Sequence, residues 1–538
     1  MSTPHVTIRN LDHLGLVAAL CDELSIAKMI DAVLPKKHQA KVSHGQAMIA
    51  MILNGLGFHS GTLHMFPQFF ANKPVERLIG PGICEDDLND DVLGRCLDAL
   101  FDADVSALYQ VIAEKVVATL GLKSTAVHLD ITSFHVDGAY SFSHDEGTKR
   151  LQLVRGYSRD HRPDLNQVVL ELVCENQAGL PVYMQAKSGN SNDNRAFSEM
   201  VRHHLLSLKA AQESRYMVGD AAMYNAETIY LLHQQQQLFV TRVPLTLKEA
   251  KKASANIGAE LLSPMSEGYH GRWQAADYGG IPQRWLLVRS EQASQREQKT
   301  LFKKLLKEST RELKAFAKLC AQHFACQTDA ENALQHFVSG LKTLRIDHGH
   351  CHREPVYDNP GRPKTGQKPD GHKFRIEEHA FTCLEKVEEA YAQTGVFILA
   401  TNDLSETLTM DELLATYKAQ QKVERGFRFL KSPDFLTSSL YLKKPERIEA
   451  LLMVMTCSLM IYSALEYRIR NALAVQGRSV PDMKKKPTQK PTARWVFLCF
   501  FGIYEFSIGD RPPQVSNLNS VHKTIVDVLG ERYRRIYS

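Results

Sequence analysis

A chain of 538 residues exceeds one compact core, and 44% apolar with 23% charged residues excludes a largely disordered protein. Net charge is +5, yet from Tyr417 onward Lys and Arg outnumber Asp and Glu 21 to 10, so the earlier residues are net negative and the last quarter offers a surface for a polyanion. The ten cysteines follow no CxxC or framework spacing, which excludes a disulfide scaffold, and residues 1–10 lack the charged-then-apolar pattern of a secreted chain.

In chain order, residues 1–121 read as helical throughout. Apolar residues recur at three-and-four spacing from Leu14 to Ile30. Ser43 is placed to cap the apolar stretch Ala47 to Leu56, and further amphipathic segments cover Val92 to Phe101 and Val105 to Leu120. The pattern then changes to β-rich runs at 125–134, 168–174 and 182–186, the last two joined by the turn Asn176 to Pro181. A helix over Asn194 to Gln212, a strand over Tyr216 to Val218, a helix over Ala226 to Gln234 and a strand over Leu238 to Val243 follow. The expected order is therefore β-β-β-α-β-α-β across residues 122–244.

Residues 245–394 read as an insertion. A hairpin is expected around Gly279-Gly280, a charged helical stretch from Glu291 to Lys342, and a loop from His348 to His372. Residues 395–470 open with the buried strand Gly395 to Thr401 and continue with one long helix over Met410 to Lys431, acidic at its start and basic at its end as the helix dipole favours. Ala450 to Leu465 is apolar for sixteen residues, short of the roughly 20 that span a bilayer, and reads as a buried helix. Residues 471–538 form a basic C-terminal region that contains the linker Lys484 to Lys486.

Three carboxylates stand out in this order. Asp130 interrupts an apolar strand (HLDITSFH), where a carboxylate must be exposed at a sheet edge, be paired or bind a cation, because burying it unpaired is costly. Asp220 follows a strand end (MVGDAAMY) between the small residues Gly219 and Ala221, a position that equally suits a helix cap. Tyr417, Glu424 and Lys431 recur at intervals of seven, on one face of a continuous helix. There Glu424 suits metal and its neighbours suit phosphate, although an ordinary i,i+4 pair of Glu424 with Arg428 fits the same spacing.

These motifs, with GYSRDHRPDLNQVVLEL (Gly156 to Leu172) and YKAQQKVERGFRFLKSPDF (Tyr417 to Phe435), resemble in order the IS4 superfamily of bacterial DDE transposases, most closely its IS1634 family. Tyr417, Glu424 and Lys431 match the superfamily's helix signature, while Gln420 stands where it has Arg, a contact for which Lys418, Lys422 or Arg425 are candidates. The resemblance implies a ribonuclease-H-like mixed-sheet α/β core with a large insertion, behind a helical module for DNA-end binding and dimerisation. It also implies metal-dependent cleavage and strand transfer, with Asp130, Asp220 and Glu424 holding two divalent ions, Mg²⁺ or in its place Mn²⁺. Tyr417, Arg425, Arg428, Lys431, Arg159 and Arg162 become DNA contacts. The partners become double-stranded DNA (terminal inverted repeats and target) and a second copy of the chain, in the bacterial cytoplasm at the nucleoid. A nuclease of the same fold that cuts without joining, and a non-catalytic DNA-binding descendant, are the rival readings. Trp273 and Trp285 in the hairpin are open to two roles, base capture or hairpin core. The run His348 to His352 is too crowded for spaced zinc ligands and reads as solvated loop.

Overall fold

The computed structural model describes all residues except 1–5, 37, 59–61, 137–150, 157–161, 192–196, 203–213, 256, 258–260, 348–349, 359–360, 363, 433–441 and 510. It divides into two compact units, the first comprising residues 1–241, 278–281 and 413–538, the second 242–277 and 282–412.

The first unit begins with strand β1 (Val6–Asn10), so the expectation of an all-helical start is corrected there. Helices follow at Leu14–Glu23, Ile26–Val33, His44–Leu56, Asp90–Asp102 and Val105–Leu120. Ser43 caps the third through a reciprocal capping box with Gln46, the placement its sequence predicts.

Next come β2 (Ala126–Val136), β3 (Asn166–Glu175), β4 (Pro181–Ser188), β5 (Tyr216–Gly219) and β6 (Leu238–Arg242), lying in the order β4-β3-β2-β5-β6. β2, β3 and β4 pair antiparallel, whereas β5 and β6 run parallel to β2. Three antiparallel strands with the first flanked by a parallel fourth and fifth make the ribonuclease-H-like topology that the sequence order anticipates. Of the helix expected at 194–212, residues 197–202 are described and are helical.

The second unit holds β7 (Ser263–Pro264), β8 (Tyr269–Tyr278) and β9 (Ile281–Ser290). β8 and β9 flank Gly279 and Gly280, whose φ of +64° and +76° make the hairpin turn. The charged stretch forms two helices, Glu291–Cys320 and Gln327–Ser339. β10 (Leu344–Arg345), β11 (Cys351–Val356), β12 (Gly371–Ile376) and β13 (Phe381–Thr382) follow, with β11 and β12 a regular hairpin where the sequence reads as loop. Alternation there is masked by charge, because one face of that hairpin meets only a small apolar cluster around Phe316, Leu334 and Ile376. Cys320 and Cys351 pack into the same cluster. β14 (Val396–Thr401) pairs antiparallel with β9.

Back in the first unit, the central turns of the helix Pro445–Val475 are apolar on every side and buried, as expected for a core helix; by length and composition it would also suit a membrane. β15 (Val480–Pro481) and β16 (Pro487–Thr488) enclose the Lys484 turn, and β17 (Tyr504–Ile508) pairs with both β18 (Gln514–Ser516) and β1. The first and last stretches of the chain thus share one three-stranded sheet. Arg77 pairs with Glu505, and the Tyr533 hydroxyl donates to Glu23 at 2.7 Å.

Candidate active site and its arginine flank

β2 and β5 pair in parallel register as far as His128 and Val218. Asp130 follows two residues further along β2, and Asp220 stands immediately past the end of β5 at Gly219. Each is oriented by the backbone. Asp130 Oδ1 accepts from its own strand at Ile131 N, 2.8 Å away, and Asp220 Oδ1 accepts from Ala222 N at 2.9 Å as the cap of a single 3₁₀ turn. Asp220 is also held through its main chain, whose carbonyl accepts from the Thr241 hydroxyl at 2.7 Å on β6.

Glu424 lies on a helix, Gln421–Leu430, that packs on the Asp130 face of β2. Two lysines fix its course. At one end Lys422 Nζ donates to the carbonyls of Asn176 and Gln177 in the β3–β4 turn, and its charge is felt by His128. At the other end Lys431 Nζ stands 5.5 Å over the ring of Phe134. His128, Asp130 and Phe134 share one face of β2 by strand alternation, so Glu424, between the two lysines, is carried along the Asp130 side.

The β3–β4 turn that anchors Lys422 is itself wired from within. The Glu175 carboxylate accepts from the N–H groups of Gln177, Ala178 and Leu180 at 2.6–2.9 Å. Gly179, at φ +76°, passes so near Lys422 that a Cβ would stand 3.3 Å from the lysine Cβ. Burial also leaves its mark on this face: His128 is buried, both its ring nitrogens lack a hydrogen-bond partner among the described residues, and its pKa falls to about 4.

The single long helix expected over Met410 to Lys431 is broken. Helices Met410–Lys418 and Gln421–Leu430 meet at a tight turn where Gln420, Lys422 and Val423 bond back three residues instead of four. Tyr417 therefore belongs to the preceding helix, and Glu424 to the following one. Gln420 is buried at the turn with its Oε1 unpaired among the described residues, while Lys422 is held by carbonyls rather than left for phosphate. Glu424 is exposed, and among the described residues it makes no ion pair with Arg428. Also among the described residues, no three His, Cys, Asp or Glu side chains stand close enough to hold a metal ion.

The model of the transposase DDE domain matches residues 123–461, well over half of the chain, and that of a domain of unknown function (DUF4277) matches residues 6–114. The chain belongs to the DDE transposases. No curated protein matches it. Among solved structures it is similar to a piggyBac transposase in a synaptic complex with hairpin DNA, at 11% identity over 93% of this chain and 83% of that one, with a TM-score of 0.38, too remote a likeness to bear on function.

Within this transposase the other expected contacts fare unequally. Arg159 lies outside the described residues, and Arg162 is held by Asp164 through Nε and Nη2, at 3.0 and 2.9 Å. Trp285 is 3% exposed in β9 and is hairpin core, which removes it from base capture. Trp273 is half-buried, with the Arg284 guanidinium 4.0 Å over its ring.

Arg425 and Arg428 project from the far flank of the Glu424 helix. There a cleft of about 490 Å³ opens against the Pro445–Val475 helix and residues 492–494. Sequence reasoning missed this cleft. Its cations Arg425, Arg470 and Arg494 are scattered over seventy positions, and the charge balance after Tyr417 was the one signal of it.

Proposed function

We propose that this transposase cleaves DNA at the ends of its element and joins those ends to a target, using divalent metal held by Asp130, Asp220 and Glu424. The observation that supports the reading is the parallel pairing of β2 with β5 up to His128 and Val218, each two residues before Asp130 and Asp220, together with the Lys431 cation of the Glu424 helix over Phe134 of β2. Membership of the IS4 superfamily, and within it the IS1634 family, is supported by the ordered motifs from HLDITSFH to YKAQQKVERGFRFLKSPDF.

An all-carboxylate donor set suits a hard ion such as Mg²⁺, with Mn²⁺ as a substitute. Bound there, a metal pair would polarise the scissile phosphate and lower the pKa of an attacking water or 3′-hydroxyl. The chain's own groups do the rest. Ile131 N and Ala222 N hold Asp130 and Asp220 in fixed orientations, so little reorganisation is needed on binding. Lys431, kept over Phe134, offers a cation to a phosphate on the Asp130 side of the helix. Exposed Glu424 completes the acid set when DNA is in place, and two copies of the chain hold the two ends together.

Gel analysis of DNA carrying the element's own ends, with Mg²⁺, tests this. Glu424→Gln and Asp130→Asn should abolish cleavage and leave DNA binding intact. Cleavage that survives Asp130→Asn overturns the site, and loss of binding in step with cleavage overturns the role of Glu424. Cut ends that never appear in joined product would reduce the activity to that of a nuclease.

A further inference from the structure

On the flank of the Glu424 helix away from Phe134, the wall of the cleft is aromatic and its rim is cationic. Phe429 stacks on Tyr462 of the Pro445–Val475 helix, their centroids 4.3 Å apart and planes inclined by 27°, and Tyr467 lies one turn and a half further along. Lys422, Arg425, Arg428, Arg470 and Arg494 line the same space against a single carboxylate among the described residues, Glu466. That carboxylate is already engaged: Glu466 pairs with Arg470 at 2.7 Å and accepts from Ala493 N at 2.8 Å. Arg470 is further fixed through Nε to the Pro491 carbonyl at 2.8 Å. Arg425 and Arg428 are exposed and meet no carboxylate among the described residues.

Such a cleft discriminates by shape as well as charge. At about 490 Å³ it has the size of a small-ligand pocket and excludes a duplex. Free phosphate would use the rim and leave the ring wall idle, whereas a nucleotide uses both, its base against the rings and its phosphate at the guanidiniums. We propose that this cleft takes one unpaired nucleotide of a DNA strand, with Phe429, Tyr462 and Tyr467 receiving the base and Arg425 and Arg428 the flanking phosphates. The inference deepens the transposase reading, since cutting and joining both generate unpaired nucleotides, and it adds a single-strand site on the opposite flank of the helix from the carboxylates.

The test uses the full chain and a short oligothymidylate carrying one 2-aminopurine, with affinity read by anisotropy and stacking by quenching of 2-aminopurine fluorescence. Wild type should bind and quench. Arg425→Ala with Arg428→Ala, both exposed positions, should weaken binding about tenfold or more. It should also lower the slope of log affinity against log salt by about 0.7 for each phosphate deprived of its cation. Ser463→Phe fills the cleft without changing charge, and Ala178→Trp blocks it from the surface turn should the first variant fold poorly. Either should weaken binding as much and abolish the quenching. Blocked variants that bind and quench like wild type overturn the proposal, as does a wild type that binds without quenching. Asp130→Asn should bind the oligonucleotide normally. A wild type that passes these tests but never cleaves DNA would sink the transposase reading and leave the cleft standing; the converse result would sink the cleft alone.

Discussion

The helix that carries Glu424 has two flanks of opposite character. Towards β2 lies Asp130, fixed by a main-chain hydrogen bond, with the buried neutral His128 two residues before it on the same strand. Towards the Pro445–Val475 helix lie arginines and stacked rings that line one cleft. One flank is acidic and held by main-chain hydrogen bonds, the other basic and aromatic. The difference teaches that a single helix can present two faces of opposite charge when each end is pinned, as Lys422 and Lys431 pin this one.

The largest expected effect separates the flanks outright. Asp130→Asn or Asp220→Asn should lower the cleavage rate by about 10³-fold or more, the scale of losing one preorganised electrostatic group, while oligothymidylate affinity stays as in wild type. Parallel loss of both in single-turnover and anisotropy assays would break the distinction.

The next effect concerns pH. Burial lowers His128 to about 4, and His13, stacked on Phe497 with Nε2 at 2.8 Å from the Leu56 carbonyl, likewise to about 4. Both are neutral in the fold and take up protons more readily when unfolded. The stability they permit is therefore complete above pH 6.5 and is lost progressively as pH falls from there to about 4, by about 3 kcal/mol for each. Denaturant midpoints across that range should show the loss, and His128→Phe should remove about half of it, leaving the His13 share.

Lys422→Met tests the pin between the flanks. It leaves two turn carbonyls without their donor, at a cost of about 1–2 kcal/mol in denaturant unfolding. It also removes a charge that holds the His128 pKa down, so that pKa should rise in an NMR titration. An unchanged His128 would mean that the helix does not lie against this part of β2. The smallest effect is that of Lys431→Met, which forfeits the cation over Phe134 and about 0.5–1 kcal/mol of thermal stability.

The acid flank was far more legible in the sequence than the arginine flank. Asp130 and Asp220 are each local to a strand whose pattern identifies it, and parallel register then follows from the strand order. Glu424 was equally visible on its helix, but the tight turn at Gln420 was not, since neither Gly nor Pro marks it and a buried glutamine keeps helical dihedrals there. β1 escaped notice because its partner, β17, lies some five hundred residues away, and Val6 and Ile8 are exposed rather than buried. The cleft needs residues from three separated segments, and no periodicity links them.

The pairing of β1 with β17 has a consequence for the way the chain is made. A ribosome adds about 5–20 residues per second, so roughly 25–100 s separate the emergence of Val6 from that of Ile508. Throughout that interval the first strand has an open hydrogen-bonding edge with two apolar side chains on it, a template for pairing with another nascent chain. Synthesis on crowded polysomes, where such chains lie close together, should therefore favour exchange of β1 between copies, and a charged residue in place of Ile8 should suppress it.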